Sequence, residues 1–206
     1  DLRLRSREIM EENNNSFESH VSNERTHLSQ VRRAFADAIK TENPDPSLIQ
    51  FLIACSDYLS FSLRRLIEQD LVLHERLIPH VGDDNSEYQE KLNKLEKGLI
   101  SMEGFIQNLE SSKANLVKTG LYGFKEFKIN ALEFLDAFLN MLASNRHSTY
   151  ELEKEVFSQE DWEAIACISD EAIAIENGLY KAVTISPPRD CNPKNYPPIA
   201  HNQSVE

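Results

Sequence analysis

Glycine and proline are scarce in this 206-residue chain, which contains six and eight of them, respectively. The prolines are confined to Pro44, Pro46, Pro79 and the C-terminal region, and runs of alternating β-branched residues are few. Proteins rich in β-strands need many glycines and prolines in their turns. Because this chain has few, and its prolines lie where helices can end, the distribution predicts an all-α protein.

Long apolar runs and an excess of basic residues are also lacking. No stretch approaches the roughly 20 apolar residues of a membrane helix, so we expect no membrane association. Asp and Glu outnumber Lys and Arg by 34 to 22, and the resulting net charge of −12 argues against a nucleic-acid partner.

The chain has only three cysteines, and no two of them are close together in the sequence. Cys55, Cys167 and Cys191 lie far apart and form no CxxC motif. This argues against both a disulfide framework and a thiolate zinc site, and a reducing cytoplasm fits the composition best.

Apolar residues recur with helical period along most of the chain. The pattern, together with turn residues between its segments, predicts five helices, over residues 16–40, 47–80, 87–117, 124–157 and 158–183. Four long helices joined by short turns predict an antiparallel, up-down four-helix bundle, with the shorter fifth helix packed alongside.

The two ends of the chain differ in composition from the predicted bundle. Residues 1–15 contain a run of asparagines and are predicted to be flexible. Residues 16–183 form the predicted bundle, and residues 184–206 form a proline-rich tail that we expect to be mobile or draped over the surface.

Two polar residues interrupt the apolar face of the second predicted helix. Asp70 lies near the middle of that face, and His74 follows one helical turn later on the same side. Arg64 and Arg65 are predicted to point away from it. A buried carboxylate requires a partner, and two remain open: a metal ion or a satisfied buried ion pair.

The first predicted helix carries a second polar pair. Glu24 falls inside its apolar face and His27 flanks it. The two have the Glu-x-x-His spacing that carboxylate-bridged di-iron bundles use. Either they join Asp70 and His74 in a metal site, or they belong to a buried polar network that fixes how the helices pack.

A third pair, His147 and Glu151, lies on the fourth predicted helix. Both residues fall almost opposite its apolar face, so they face solvent unless the helix is broken near residues 144–145. No GxSxG, HExxH, GxxxxGK or GxGxxG pattern occurs in the chain. No motif therefore supports an enzymatic function, and a non-enzymatic role is favoured.

Several of these segments resemble the hemerythrin-like, or HHE cation-binding, family. The resemblance rests on His27 and on residues 58–60, 74–79, 147–157 and 158–165. It implies an antiparallel four-helix bundle that holds two non-heme irons and that binds or senses dioxygen, iron or redox signals. It also implies His27, His147 and Glu151 as iron ligands.

The predicted metal site combines these ligands with the helix-face assignments. Its six residues are Glu24, His27, Asp70, His74, His147 and Glu151. A set this rich in carboxylates suits iron or manganese better than copper.

Residues 51–60 and 74–77 are also similar to a helix of the regulator of sigma D family. That resemblance implies a metal-free helical bundle that binds a protein partner. In this alternative the buried polar residues are structural only, and the partner docks on the acidic surface or the C-terminal tail.

Overall fold

The computed structural model of the chain describes residues 23–82, 84–145, 149–185, 187–188 and 190–198. Throughout these ranges the regular structure is helical and no strand occurs, which confirms the all-α prediction. The elements are α1 (residues 23–38), α2 (Pro46–Leu77), α3 (Ser86–Thr119), α4 (Phe124–Asn145), α5 (Tyr150–Val156), α6 (Gln159–Ala166) and α7 (Asp170–Thr184), with short 3₁₀ turns at Ile78–His80, Gly120–Gly123 and Pro193–Asn195.

Local sequence signals fix the ends of the two longest helices. Asp45 caps α2, because its carboxylate accepts a hydrogen bond from the Leu48 amide at 2.8 Å, and Pro46 occupies the first turn, where no amide donor is needed. Helix α3 ends at Gly120, whose φ of +60° is readily available only to glycine. At Gly123 a Cβ atom would meet Thr119 Oγ1 at 2.6 Å, so the turn into α4 also requires glycine.

Helix α2 is central to the packing. It packs against α3, α6 and α7, while α3 packs closely against α4. Helix α1 joins the same core, where the rings of Phe35 and Phe127 meet edge-on with centroids 6.2 Å apart. The largest fully buried side chains come from α1 to α4 and from the turn that follows α1: Phe35, Ile39, Leu52, Tyr58, Leu59, Leu63, Leu77, Leu99, Met102, Phe127, Phe134 and Phe138.

Two predicted helices are each divided in the structure. The fourth, predicted to continue to residue 157, ends at Asn145, and α5 begins at Tyr150. The fifth is two helices, α6 and α7, because Ser169 caps a new helix by accepting a hydrogen bond from the Ala172 amide. The predicted flexible segment 1–15 lies outside the described residues.

No helix among the described residues is long and apolar enough to span a membrane. The described part of the proline-rich tail lies against the bundle. Pro193 is buried, and Cys191 and Tyr196 pack on the hydrophobic core.

Candidate functional site

Glu24 is buried between α1 and α2, and its partner is Arg65. The guanidinium donates from Nε to Glu24 Oε1 at 2.9 Å and from Nη2 to both carboxylate oxygens at 2.5 Å. The two residues are 6% and 9% exposed. The prediction that Arg65 points away is therefore wrong. Helix α2 is covered by neighbours on several sides, and one apolar face does not describe its buried surface.

His27 lies one turn after Glu24 and contacts α7 rather than a metal ligand set. Its Nδ1 lies 3.2 Å from Glu176 Oε1, where a ring N–H donates to the carboxylate. The imidazole stacks on the ring of Tyr180 with centroids 3.6 Å apart and planes 9° from parallel. Both contacts fix the orientation of the His27 ring.

Glu176 is the most deeply buried carboxylate of this region, at 1% exposure. The same Oε1 atom that faces His27 also accepts a hydrogen bond from the Tyr58 hydroxyl at 2.8 Å. We call the residues Glu24, His27, Tyr58, Arg65 and Glu176 the polar cluster. It joins α1, α2 and α7 within a mostly apolar interior.

Electrostatics in the polar cluster favour the protonated form of its tyrosine. Burial raises the pKa of Tyr58 far above its usual value, and the neighbouring Glu176 carboxylate raises it further. Burial and Glu176 also raise the pKa of Tyr180. Both phenols therefore remain hydrogen-bond donors at neutral pH.

Asp70 and His74 lie further along α2, about 7.5 Å and about 13.5 Å from Arg65 measured along the helix axis. His74 is buried, as the apolar face predicts, whereas Asp70 is half-buried. Each lies beyond the segment of α2 that carries the polar cluster.

The remaining predicted ligands divide between solvent and the undescribed part of the chain. His147 lies outside the described residues. Glu151 is exposed on α5, with Lys154 Nζ 3.9 Å from its Oε1 atom. The buried carboxylate of α5 is instead Glu153, which accepts a hydrogen bond from Thr149 Oγ1 at 2.5 Å.

The described members of the predicted set, all of them except His147, are not gathered around one point as a di-iron centre requires. Within the described ranges no group of three or more His, Cys, Asp and Glu side chains is arranged to hold a metal ion. Glu24 is already bound by a guanidinium through both oxygens, and a positive charge at that place repels a cation. His27 faces Glu176, a residue absent from the predicted set.

Three members of the polar cluster were missed in the sequence: Tyr58, Arg65 and Glu176. A signal for Glu176 was present, because it falls on the face of α7 that also carries the buried Val183. The same helix-face test that found Glu24 would have found it. Glu176 and Val183 are seven residues apart, two helical turns, so they share a face wherever the helix begins.

Comparison with known proteins adds no family assignment. No family model, curated protein or solved structure matches this chain.

Proposed function

We propose that the chain is a metal-free bundle of four long antiparallel helices that acts as a regulatory protein-interaction module. In this proposal the polar cluster has a structural role, which is to set how α1, α2 and α7 pack. The observation that supports this structural, metal-free role is that Arg65 donates hydrogen bonds to both carboxylate oxygens of Glu24.

The positive charge of Arg65 beside Glu24 is the reason for proposing a bundle without iron. A carboxylate that holds ferrous or ferric iron gives its lone pairs to the metal, but those of Glu24 already accept hydrogen bonds from Arg65. Iron binding would require Arg65 to give up its hydrogen bonds to Glu24, and a guanidinium left buried without its partner costs several kcal/mol. The di-iron site implied by the hemerythrin-like resemblance stays a prediction.

Contacts between helices support the antiparallel arrangement. Asp57 of α2 pairs with Lys113 of α3, and about two turns later Arg64 pairs with Glu110 and Glu103. Residue numbers rise along α2 while those of their partners fall along α3, as expected for antiparallel neighbours.

Surface composition supports an interaction role. Ile129, Leu132 and Leu139 of α4 are 51%, 44% and 46% exposed, and they lie along one side of the helix. Apolar side chains grouped on a surface mark interaction sites more often than isolated ones do. The rest of the chain carries a net charge of −12, which keeps such a surface soluble.

Iron stoichiometry tests the metal-free part of the proposal. The full chain, purified without an affinity tag, is incubated with ferrous iron under anaerobic conditions, desalted and analysed for metal. We expect no stoichiometric iron in the wild type or in the matched variant Glu24→Gln. About two irons per chain in the wild type, lost in Glu24→Gln, would overturn the proposal and support the di-iron prediction.

Site-specific photo-crosslinking in the source cells tests the interaction part. A photoreactive amino acid replaces Leu139 on the exposed apolar side of α4, and a control places it at the exposed Lys97 of α3. We expect a discrete adduct of one size at position 139 and none at position 97. Identical adduct patterns at both positions would argue against a specific interaction surface on α4.

A further inference from the structure

The proline-rich tail is bound to α1 through its backbone. Gln30 Nε2 donates a hydrogen bond to the Tyr196 carbonyl at 2.8 Å, and Arg33 Nη1 donates one to the Pro197 carbonyl at 3.1 Å. Residues 190–198, which we call the strap, thus run across the outer face of α1. Two donors of the helix satisfy consecutive carbonyls of the strap.

The side chain of Tyr196 adds contacts that depend on its identity. Its hydroxyl donates to Asp37 Oδ2 at 2.6 Å, and the guanidinium of Arg33 lies over its ring, 5.0 Å from the centroid. Burial and the bond to Asp37 both raise the pKa of Tyr196, so the hydroxyl stays protonated and keeps donating. Asp37, Arg33 and Gln30 lie on successive turns of α1.

This geometry matches the way proteins recognise extended proline-rich segments. Proline has no backbone N–H, so such segments present carbonyl oxygens that pair only with donors from the partner. Donors on the partner surface bind those carbonyls, and pockets or charged groups select a neighbouring side chain. Here Gln30 and Arg33 supply the donors, and Asp37 with Arg33 selects a tyrosine.

The strap is anchored by Pro193, which is buried, and by Cys191 and Tyr196, which pack on the core, whereas its last residues are held by bonds near the surface. Apart from one 3₁₀ turn at Pro193–Asn195 it has no regular structure. The bonds from Arg33 and Tyr196 are exposed to solvent, and exposed bonds of this kind contribute little net stability. The covalent attachment of the strap also gives it a high effective concentration, which a free segment must overcome.

We propose that Gln30, Arg33 and Asp37 form a receptor for Tyr-Pro-Pro segments, which the chain's own strap occupies until a partner with such an extended segment displaces it. The inference rests on the proposed role as an interaction module and names the class of partner. It requires that the receptor bind the same sequence when supplied as a separate peptide.

Competition between the strap and a free peptide tests this proposal in the full chain. The probe is a fluorescent peptide of residues 187–198, and binding is measured by anisotropy to the wild type and to Tyr196→Ala, whose strap lacks the selective side chain. We expect the peptide to bind Tyr196→Ala at least tenfold more tightly than the wild type. A peptide whose own tyrosine is replaced by alanine is expected to bind at least tenfold more weakly than the parent peptide.

A second variant places the receptor on α1. In the Tyr196→Ala background, Asp37→Ala removes an exposed carboxylate outside the hydrophobic core. We expect the double variant to bind the peptide at least tenfold more weakly than Tyr196→Ala alone, with unchanged helical circular dichroism. Equal affinity of wild type and Tyr196→Ala, or equal binding of the two peptides, would overturn the proposal. Because iron stoichiometry is measured separately, a chain that binds iron and also binds the peptide would refute the metal-free proposal alone.

Discussion

Arg64 and Arg65 are adjacent on α2 and differ in almost everything except residue type. The Arg65 side chain is 10% exposed and pairs with one acid, Glu24, on α1. The Arg64 side chain is 36% exposed and pairs with two acids, Glu103 and Glu110, on α3. The arginine with more partners is the one with more water around it.

The difference teaches that burial, rather than the number of contacts, decides what an ion pair does. A charge left unpaired in the interior costs several kcal/mol, so Arg65 and Glu24 must occur together and in one geometry. A half-exposed charge that loses its partner is rehydrated at little cost. Arg65 therefore fixes how the helices pack, whereas Arg64 contributes only a small stabilisation to that packing.

Removing Glu24 is the strongest way to challenge this comparison. We expect Glu24→Leu to lower the free energy of unfolding by about 3–5 kcal/mol, because Arg65 is left buried without its partner. Urea denaturation monitored by circular dichroism measures the loss. The double variant Glu24→Leu/Arg65→Leu removes both charges and should regain most of it. A loss below about 1 kcal/mol in the single variant would mean that Arg65 reaches water in solution.

Tyr58→Phe tests the other half of the polar cluster. The variant removes the hydroxyl that donates to Glu176 at 2.8 Å but leaves the ring in the core. We expect a loss of about 1–2 kcal/mol, because Glu176 stays buried with one donor fewer. Matched denaturation of Tyr180→Phe, whose hydroxyl donates to Gln30 rather than to Glu176, provides a control. An effect of Tyr58→Phe no larger than that of the control would show that its bond to Glu176 is not important for stability.

The exposed side of the comparison predicts a smaller effect that depends on salt. We expect Arg64→Met to cost about 1 kcal/mol or less at low ionic strength, since both of its acids are themselves about one-third exposed. The cost should shrink further in 1 M NaCl because salt screens exposed charges. Denaturation at the two salt concentrations gives the answer, and a loss equal to that of Glu24→Leu would remove the contrast between the two arginines.

Arg76, further along α2, provides the smallest effect. Its hydrogen bond to Asp161 is the main reason why the pKa of that carboxyl is lowered to about 2, with Ser158 adding to the shift. A lowered pKa in the folded chain stabilises above the ordinary carboxyl value, and this contribution is lost as the pH falls toward 2. We expect Arg76→Ala to raise the pKa of Asp161 part of the way back, as followed by carbon NMR. An unchanged pKa would assign the shift to Ser158 alone.

Helical periodicity was sufficient to predict the longest elements. The predicted second and third helices, 47–80 and 87–117, agree with α2 and α3 to within a few residues at each end, because caps and glycines mark those ends in the sequence. The predicted fourth and fifth helices are longer than the helices in the structure. Ser169 followed by Asp170 and Glu171 is a helix start, but the apolar pattern continues across it and concealed the break.

The candidate site was less predictable than the fold. The burial of Glu24 and His74 follows from their place on an apolar face, but the partner of a buried charge depends on tertiary packing. Arg65 lies off the apolar face of α2 and was assigned to solvent, although α1 covers that side of the helix through the Glu24 contact. In the sequence, a carboxylate and a histidine at helical spacing form the same pattern whether their partner in the fold is a metal ion or a guanidinium.

The most direct test of the structural role of the polar cluster is the free energy of unfolding with and without excess ferrous iron, measured anaerobically on the full chain. A metal that binds only the folded state raises this free energy as its concentration increases. Because Arg65 occupies both oxygens of Glu24, we expect the urea midpoint to stay constant at every iron concentration. A midpoint that rises with iron in the wild type, and does not rise in Glu24→Gln, would contradict the assignment of Glu24 to Arg65.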